Sequence, residues 1–284
     1  MVVSIPGNSL ILWITSHHRH LQASTNLLVC NLALASILVG ILRLPFIIFE
    51  LLNSDISYPF TQSMCQFQAL ISTASIMCIS ITLTTICIDR YIVIVHPLKF
   101  GWKLSKKKTY IAIAMSWIIS LIFFAPYTSF NILYQPNITI YCLPFWPETP
   151  YDINFTRILS NVSLWACFII FAFLIPSAVM TVLYSITARF LWSRTGPGDK
   201  ITTVRVSETR RRLQQKRRVV GILIACCVIF IGVNLPYYFL FMLLDLGQIV
   251  IPNVGFVVNL LILINLSCIV YNPVIYGFFN PSIR

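Results

Sequence analysis

Residues 65–93 read CQFQALISTASIMCISITLTTICIDRYIV, with no charged side chain before Asp89. A helix that crosses a bilayer needs about 20 mainly apolar residues, and this run exceeds that length. It is read as a membrane span that leaves the hydrocarbon at Asp89-Arg90. Five further runs share its character: 26–51, 108–130, 157–190, 217–244 and 249–276. Ahead of them, residues 1–15, MVVSIPGNSLILWIT, are apolar but too short to span. They are read as the inner half of a first helix whose start lies outside the chain. A cleaved secretory signal is the competing reading; the segment lacks a basic start and a small-residue cleavage site before His17. The expected fold is an all-α membrane protein, a seven-transmembrane helix bundle with a short helix after the last span. Residues 1–284 are read as one domain, without a C-terminal tail.

Composition agrees. The chain is 58% hydrophobic and 10% charged, whereas soluble domains carry charge on roughly a quarter of their residues. The apolar excess therefore faces lipid. A net charge of +12 invites a nucleic-acid reading, but the basic residues cluster in short segments between apolar runs. That is the pattern of loops beside an anionic leaflet, so membrane lipid is expected as a partner and nucleic acid is not.

The same charges give orientation. Arg19 with three histidines follows the first segment, and Lys99, Lys103, Lys106, Lys107 and Lys108 follow the third. The loop from Arg194 to Arg218 is the most basic. The alternate loops, 52–64 and 131–156, hold no Lys or Arg and carry Asp55, Glu148 and Asp152. Positive-inside places the basic loops in the cytoplasm and the N-terminus outside. A multi-pass protein of the plasma membrane is expected. The sequons at Asn137 and Asn154 fall in the outer loop, as glycan acceptors must. Those at Asn161 and Asn265 lie too near or inside a span. Seven cysteines, Cys30, Cys78, Cys87, Cys167, Cys226, Cys227 and Cys268, sit within apolar runs and are read as small apolar fillers.

An ordered set of motifs follows the spans. It runs Gly7-Asn8, Asn31-Leu32-Ala33-Leu34-Ala35, Asp89-Arg90-Tyr91, Trp117, Pro176 with Tyr184, Pro236, and Asn272-Pro273-Val274-Ile275-Tyr276 followed by Phe279. In this order, each at its own end of its own run, the chain resembles the rhodopsin-like G-protein-coupled receptors along essentially its whole length.

The resemblance implies roles. Cys65 and Arg90 lie 25 residues apart on one helix, roughly 37 Å at 1.5 Å per residue, so they stand at opposite faces. Cys65 faces the oxidising side, and a Cys65–Cys142 bridge is expected to tie the outer loop over the bundle mouth. In such receptors Arg90 is held by Asp89 at rest. On activation it extends towards Tyr184 and Tyr276 as the sixth helix swings out, and the cleft admits a heterotrimeric G protein. Pro176, Pro236 and Pro273 remove backbone donors in mid-membrane and kink their helices. The sixth helix begins Lys216-Arg217-Arg218, so it offers no acid to latch Arg90.

Several positions depart from the family. Ser36 replaces the usual aspartate and Ile79 the usual serine of a sodium site, so no bound sodium is expected. Asn234 replaces the tryptophan two residues before Pro236, and Ser80 replaces a bulky aliphatic residue between the fifth and sixth helices.

A ligand pocket is expected to open outward. Ser72 stands where amine receptors carry an aspartate, and the last span has no lysine for retinal. Arg43 is charged within the second span, a functional position by default; it meets either an acidic ligand group or Glu50. The other lining candidates are Gln68, Ser72, Thr73, Ile76, Asn234, Tyr237, Tyr238, Phe241 and Asn265. Aromatic and neutral polar groups together suit a peptide or a moderately apolar ligand, and Tyr141-Cys142-Leu143, which resembles the outer hairpin of peptide receptors, favours the peptide.

The leading expectation is a receptor that binds an extracellular peptide and activates a G protein. The alternative is a receptor-like partner subunit or ligand-binding decoy with weak coupling or none. A transporter would show inverted repeats or paired broken helices. No cofactor, metal or enzymatic activity is expected, since the spans lack a His/Asp/Glu cluster.

Overall fold

The computed structural model describes residues 3–18, 23–52, 59–98, 100–129, 131–134, 141–144, 163, 166–193, 203–245 and 254–271. Its helices are α1 (Ser4–His17), α2 (Ser24–Leu42), α3 (Leu44–Leu52), α4 (Gln62–Val95), α5 (Lys106–Ser129), α6 (Ile175–Ser193), α7 (Thr203–Asp245) and α8 (Val254–Leu266). Strands β1 (Asn131–Tyr134) and β2 (Tyr141–Pro144) form an antiparallel hairpin in the outer loop, with Leu133 opposite Cys142. The expected residues Asn137, Asn154, Asn272, Pro273 and Tyr276, and the short helix after the last span, lie outside the described residues, as does the side chain of Phe241.

Five helices among the described residues are long and apolar enough to cross a membrane: Ser24–Phe49, Gln62–Val95, Lys106–Pro126, Ala166–Ser193 and Leu213–Leu240. The last described helix is shorter, with Leu260–Tyr271 as its apolar part. Backbone polar groups in hydrocarbon must be satisfied within the segment, which is why each run folds as helix.

The second span is one path in two pieces. It breaks at Arg43, between α2 and α3, two residues before Pro45, whose ring cannot continue the hydrogen-bond ladder. Helix α4 is the central post. In its apolar window 61% of residues are buried, against 22% for α5, so α5 lies at the lipid-facing edge. Helix α4 packs on α2, α5 and α6, α1 packs on α2, and α7 lies between α6 and α8. Small residues let α2 approach closely: Ala33, Ala35, Ser36 and Gly40 are all buried.

Two segments differ from the sequence reading. The most basic stretch, expected as a loop to Arg218, is already helical from Thr203, and α7 runs 43 residues. That is about 65 Å at 1.5 Å per residue, twice the hydrocarbon thickness. No glycine or proline interrupts residues 203–220, and Arg, Leu, Gln and Lys are strong helix formers. Helix propensity therefore extends the span into the aqueous side. Secondly, residues Ile169–Leu174 form a π-helical turn ahead of α6, closed by the Ile175 N–H on the Ile170 carbonyl just before Pro176.

Candidate functional site

At the inner end of α4, Asp89 is 4% exposed and its Oδ2 lies 3.0 Å from Arg90 Nη2. The Thr25 hydroxyl, on the first turn of α2, donates to the same carboxylate oxygen at 3.3 Å. It also accepts from Arg90 Nη2. A hydroxyl thus sits between the two charges and satisfies both. That matters because a buried ion pair is tolerable only when extra hydrogen bonds complete its shell. Arg90 Nε, also buried, has no hydrogen-bond partner among the described residues. Next to it Tyr91 Oη and His96 Nε2 lie 3.2 Å apart, so Tyr91 is turned away from the charge pair. Tyr184 is buried on α6, and the Cys87 thiol of α4 donates to the Met180 carbonyl, also on α6, at 3.8 Å.

The basic run Lys216-Arg217-Arg218, read from the sequence as the start of the sixth span, makes its own contact on α7. Arg217 donates from Nη2 (2.9 Å) and Nε (3.3 Å) to the carbonyl of Leu191, near the end of α6. Its guanidinium lies 5.7 Å from the Trp192 ring centroid. Below this clasp Val220, Leu191 and Ile94 are buried together. The α6 and α7 inner ends are tied to one another rather than to Arg90.

In mid-membrane, side chains answer backbone carbonyls. Pro176 has no N–H for Ala172, four residues back, and the Ser80 hydroxyl of α4 donates to that carbonyl at 2.7 Å. The Ile269 carbonyl of the last helix accepts from Asn8 Nδ2 of α1 at 3.1 Å and from Ser4 Oγ at 3.4 Å. Asn31 of α2 donates to Thr82 Oγ1 at 2.8 Å and to Cys78 Sγ at 3.4 Å, and accepts from Trp117 Nε1 at 2.8 Å. It joins α2, α4 and α5. Higher up, Asn265 Nδ2 donates to Asn234 Oδ1 at 2.9 Å, while Asn234 Nδ2 donates to the Phe230 carbonyl at 2.7 Å.

At the outer end a disulfide joins Cys65 to Cys142, with Cα atoms 5.8 Å apart. It fastens β2 to the top of α4. Of the pocket candidates, Gln68 and Ser72 are buried on α4, and Ser72 Oγ has no hydrogen-bond partner among the described residues. Thr73 spends its hydroxyl on the carbonyls of Ala69 and Leu70, and Ile76 packs against the core. Tyr238 is buried against Phe168, with centroids 4.9 Å apart, and Tyr237 stands edge-on to it at 5.2 Å. Arg43 sits half-buried at the α2–α3 break, where its charge acts on the Tyr237 hydroxyl. The side chain of its other candidate partner, Glu50, lies outside the described residues. A crevice of about 590 Å³ lies elsewhere, between α1, α2 and α5, lined by Leu12, Trp13, Leu27 and Tyr110. Trp13 and Tyr110 are exposed there, so it faces lipid and includes none of the expected pocket residues.

A family model described as 7 transmembrane receptor (rhodopsin family) matches residues 7–276. The chain belongs to that family. It is therefore a multi-pass membrane protein, a receptor with a seven-helix bundle. Among curated relatives, it is 29% identical over 292 residues to the tachykinin-like peptides receptor 86C of Drosophila melanogaster, covering 100% of this chain and 55% of that protein. It is 28% identical over 300 residues to neuropeptide FF receptor 1 of Homo sapiens, covering 98% and 65%. It is 28% identical over 286 residues to the substance-K receptor of Homo sapiens, covering 100% and 68%. The chain spans about half to two-thirds of the length of the relatives it matches.

In this receptor the structure gathers Asn234 with Asn265 and Tyr237 with Tyr238, while it leaves Thr73 bonded within its own helix. Sequence reading missed Thr25, Phe168 and the clasp of Arg217. It noted Ser80 as a departure without its partner. A rule was available for one of the links: the carbonyl four residues before Pro176 needs a donor. Nothing local marked Thr25, which is 64 residues from Asp89.

Proposed function

We propose that this receptor binds an extracellular peptide at the plasma membrane, with its N-terminus outside, and activates a heterotrimeric G protein. The observation that carries the reading is the Asp89–Arg90–Thr25 cluster, at the inner end of the same helix whose outer end bears Cys65–Cys142. One helix thus links an outward ligand mouth to an inward charged switch. At rest the carboxylate and the hydroxyl hold Arg90 sideways. When the inner arm of α7 moves away, Arg90 extends towards Tyr184 and Tyr276 and the cleft admits its partner, with Tyr91, Asn272 and Pro273 shaping the same region. The relatives are named as receptors for tachykinin-like peptides and neuropeptide FF, which supports a peptide ligand. Its pocket is formed by Arg43, Gln68, Ser72, Thr73, Ile76, Asn234, Tyr237, Tyr238, Phe241 and Asn265. Glycans on Asn137 and Asn154 decorate the outer loop.

The test is a second-messenger assay across G-protein classes in cells that display the full chain, with and without Arg90→Ala. Ligand-independent signal should appear with the parent chain and vanish in Arg90→Ala at equal surface level. No signal in any class from a well-displayed parent chain would remove coupling and leave a ligand-binding partner subunit or decoy.

Arg43 makes a second prediction within the same pocket. A guanidinium at membrane depth strongly favours an anionic partner. Arg43→Ala should weaken an agonist peptide ending in a free carboxylate by about tenfold or more, one lost charge-assisted contact. The same peptide with an amidated end should be unaffected. Equal loss for both forms would take Arg43 out of the ligand contact.

A further inference from the structure

The carboxamides of Asn234 and Asn265 meet at 2.9 Å, and both residues are at most 3% exposed. They occupy one level of the bundle, on helices that each have a weak point beside the contact. Asn234 lies two residues before Pro236, on the inner arm of α7. Asn265 lies two residues before Ser267, where the ladder of the last helix is irregular. There the Ser267 N–H is shared between Leu263 and Ile264, and Val270 N–H bonds Ser267 over only three residues. Asn265 therefore belongs to the outer arm of its helix. Below that break, Ile269 is held to α1 by Asn8 and Ser4.

We propose that the Asn234–Asn265 pair is the resting latch of this receptor, a positioning pair that sets how often the inner cleft opens. The inference rests on the reading that the inner arm of α7 moves. A swing of that arm about Pro236 carries Asn234 with it and leaves Asn265 behind. The contact must break or bend in that motion, because one partner is on each side of the hinge. In hydrocarbon the broken state leaves two carboxamides without water to receive them, so the closed state is favoured. The second bond of Asn234, to the Phe230 carbonyl on its own arm, travels with it and is not lost. This asymmetry makes the pair a switchable contact and not a uniform staple. An apolar side chain at either position would supply packing without the directional bond.

The experiment uses the full chain in lipid nanodiscs. Spin labels on keto-amino acids at the exposed positions Gly101 and Gln214 report the separation of the inner ends without touching the native cysteines. Distances are recorded for the parent, Asn234→Leu, Asn265→Leu and the double variant, with thermal unfolding of each in parallel. Each single variant should raise the ratio of open to closed populations roughly three- to tenfold, the range of one interhelical hydrogen bond. The double variant should add little to either single, since both remove the same bond. If Asn234→Leu does not fold, Asn265→Leu carries the test alone, because it leaves the Asn234–Phe230 bond intact. Unchanged distance distributions alongside lowered thermal stability would overturn the proposal and reduce the pair to a structural contact. A shifted distribution with no G-protein signal from any variant would uphold the latch and refute coupling instead.

Discussion

Removing the bridge between Cys65 and Cys142, by alanine at either position, is expected to destabilise the outer half of the receptor and to weaken peptide binding at least tenfold. The two cysteines are 77 residues apart in sequence, and closing a loop of that size is worth about 4 kcal/mol in a freely unfolding chain. A membrane bundle does not unfold so freely. Its helices stay inserted, so the chain released is chiefly the outer loop, and the lower end of the range, about 2 kcal/mol, is the better expectation. The effect on binding follows from position. The bridge anchors β2 to the top of α4, so its loss frees the hairpin from the mouth into which the ligand must fit. Thermal unfolding of purified protein and labelled-peptide binding on cells would measure the two effects. Cys65→Ala, Cys142→Ala and the double variant should be alike. A double variant clearly worse than both singles would mean that each cysteine contributes separately, against a shared bridge.

Asn31→Ala is expected to have the second large effect, this time at the core. Asn31 is 4% exposed and ties three helices together through Thr82, Cys78 and Trp117. Its removal strands the indole N–H of Trp117 and leaves the Thr82 hydroxyl its bond to the Cys78 carbonyl and its 4.0 Å contact with the Cys78 thiol. An unpaired buried donor costs about 1–3 kcal/mol, and the truncated side chain adds a small void, so a loss of about 2–4 kcal/mol follows. Trp117→Phe, which deletes one donor and keeps an aromatic ring, should cost less, about 1 kcal/mol. The pair should couple: the double variant should be less destabilised than the sum by about 1 kcal/mol. Strict additivity in a thermal-unfolding cycle would show that the indole and the carboxamide do not act on each other.

Much of the fold was legible because lipid imposes a simple rule. Each span must be long, apolar and helical, so 65–93 and its companions stand out from composition and length alone. The bounds that failed were aqueous ones. The stretch before Arg218 continues as helix because propensity, not hydropathy, governs there. The kink at Arg43 follows from Pro45, readable in principle, and the π turn at 169–174 lies just ahead of Pro176. The candidate site was legible as a set of positions and not as a set of contacts. Asp89, Arg90, Cys65 and Cys142 were found by their place along the chain. Among the pocket candidates, Thr73 bonds carbonyls of its own helix and Ile76 packs against the core.

The sequence by itself determined that this chain crosses the bilayer, that its basic residues gather in alternate loops, and which end of α4 carries the charge and which the bridging cysteine. Those features depend on length, hydropathy and charge, which are properties of a chain read in one dimension. Only the tertiary structure decided that Thr25 mediates between Asp89 and Arg90, that Ser80 answers Ala172, and that Asn234 meets Asn265. In lipid a helix is apolar on all sides, so no polar stripe marks the face that turns inward. Rotation and partner are then chosen by close packing and by the need to satisfy each buried polar group.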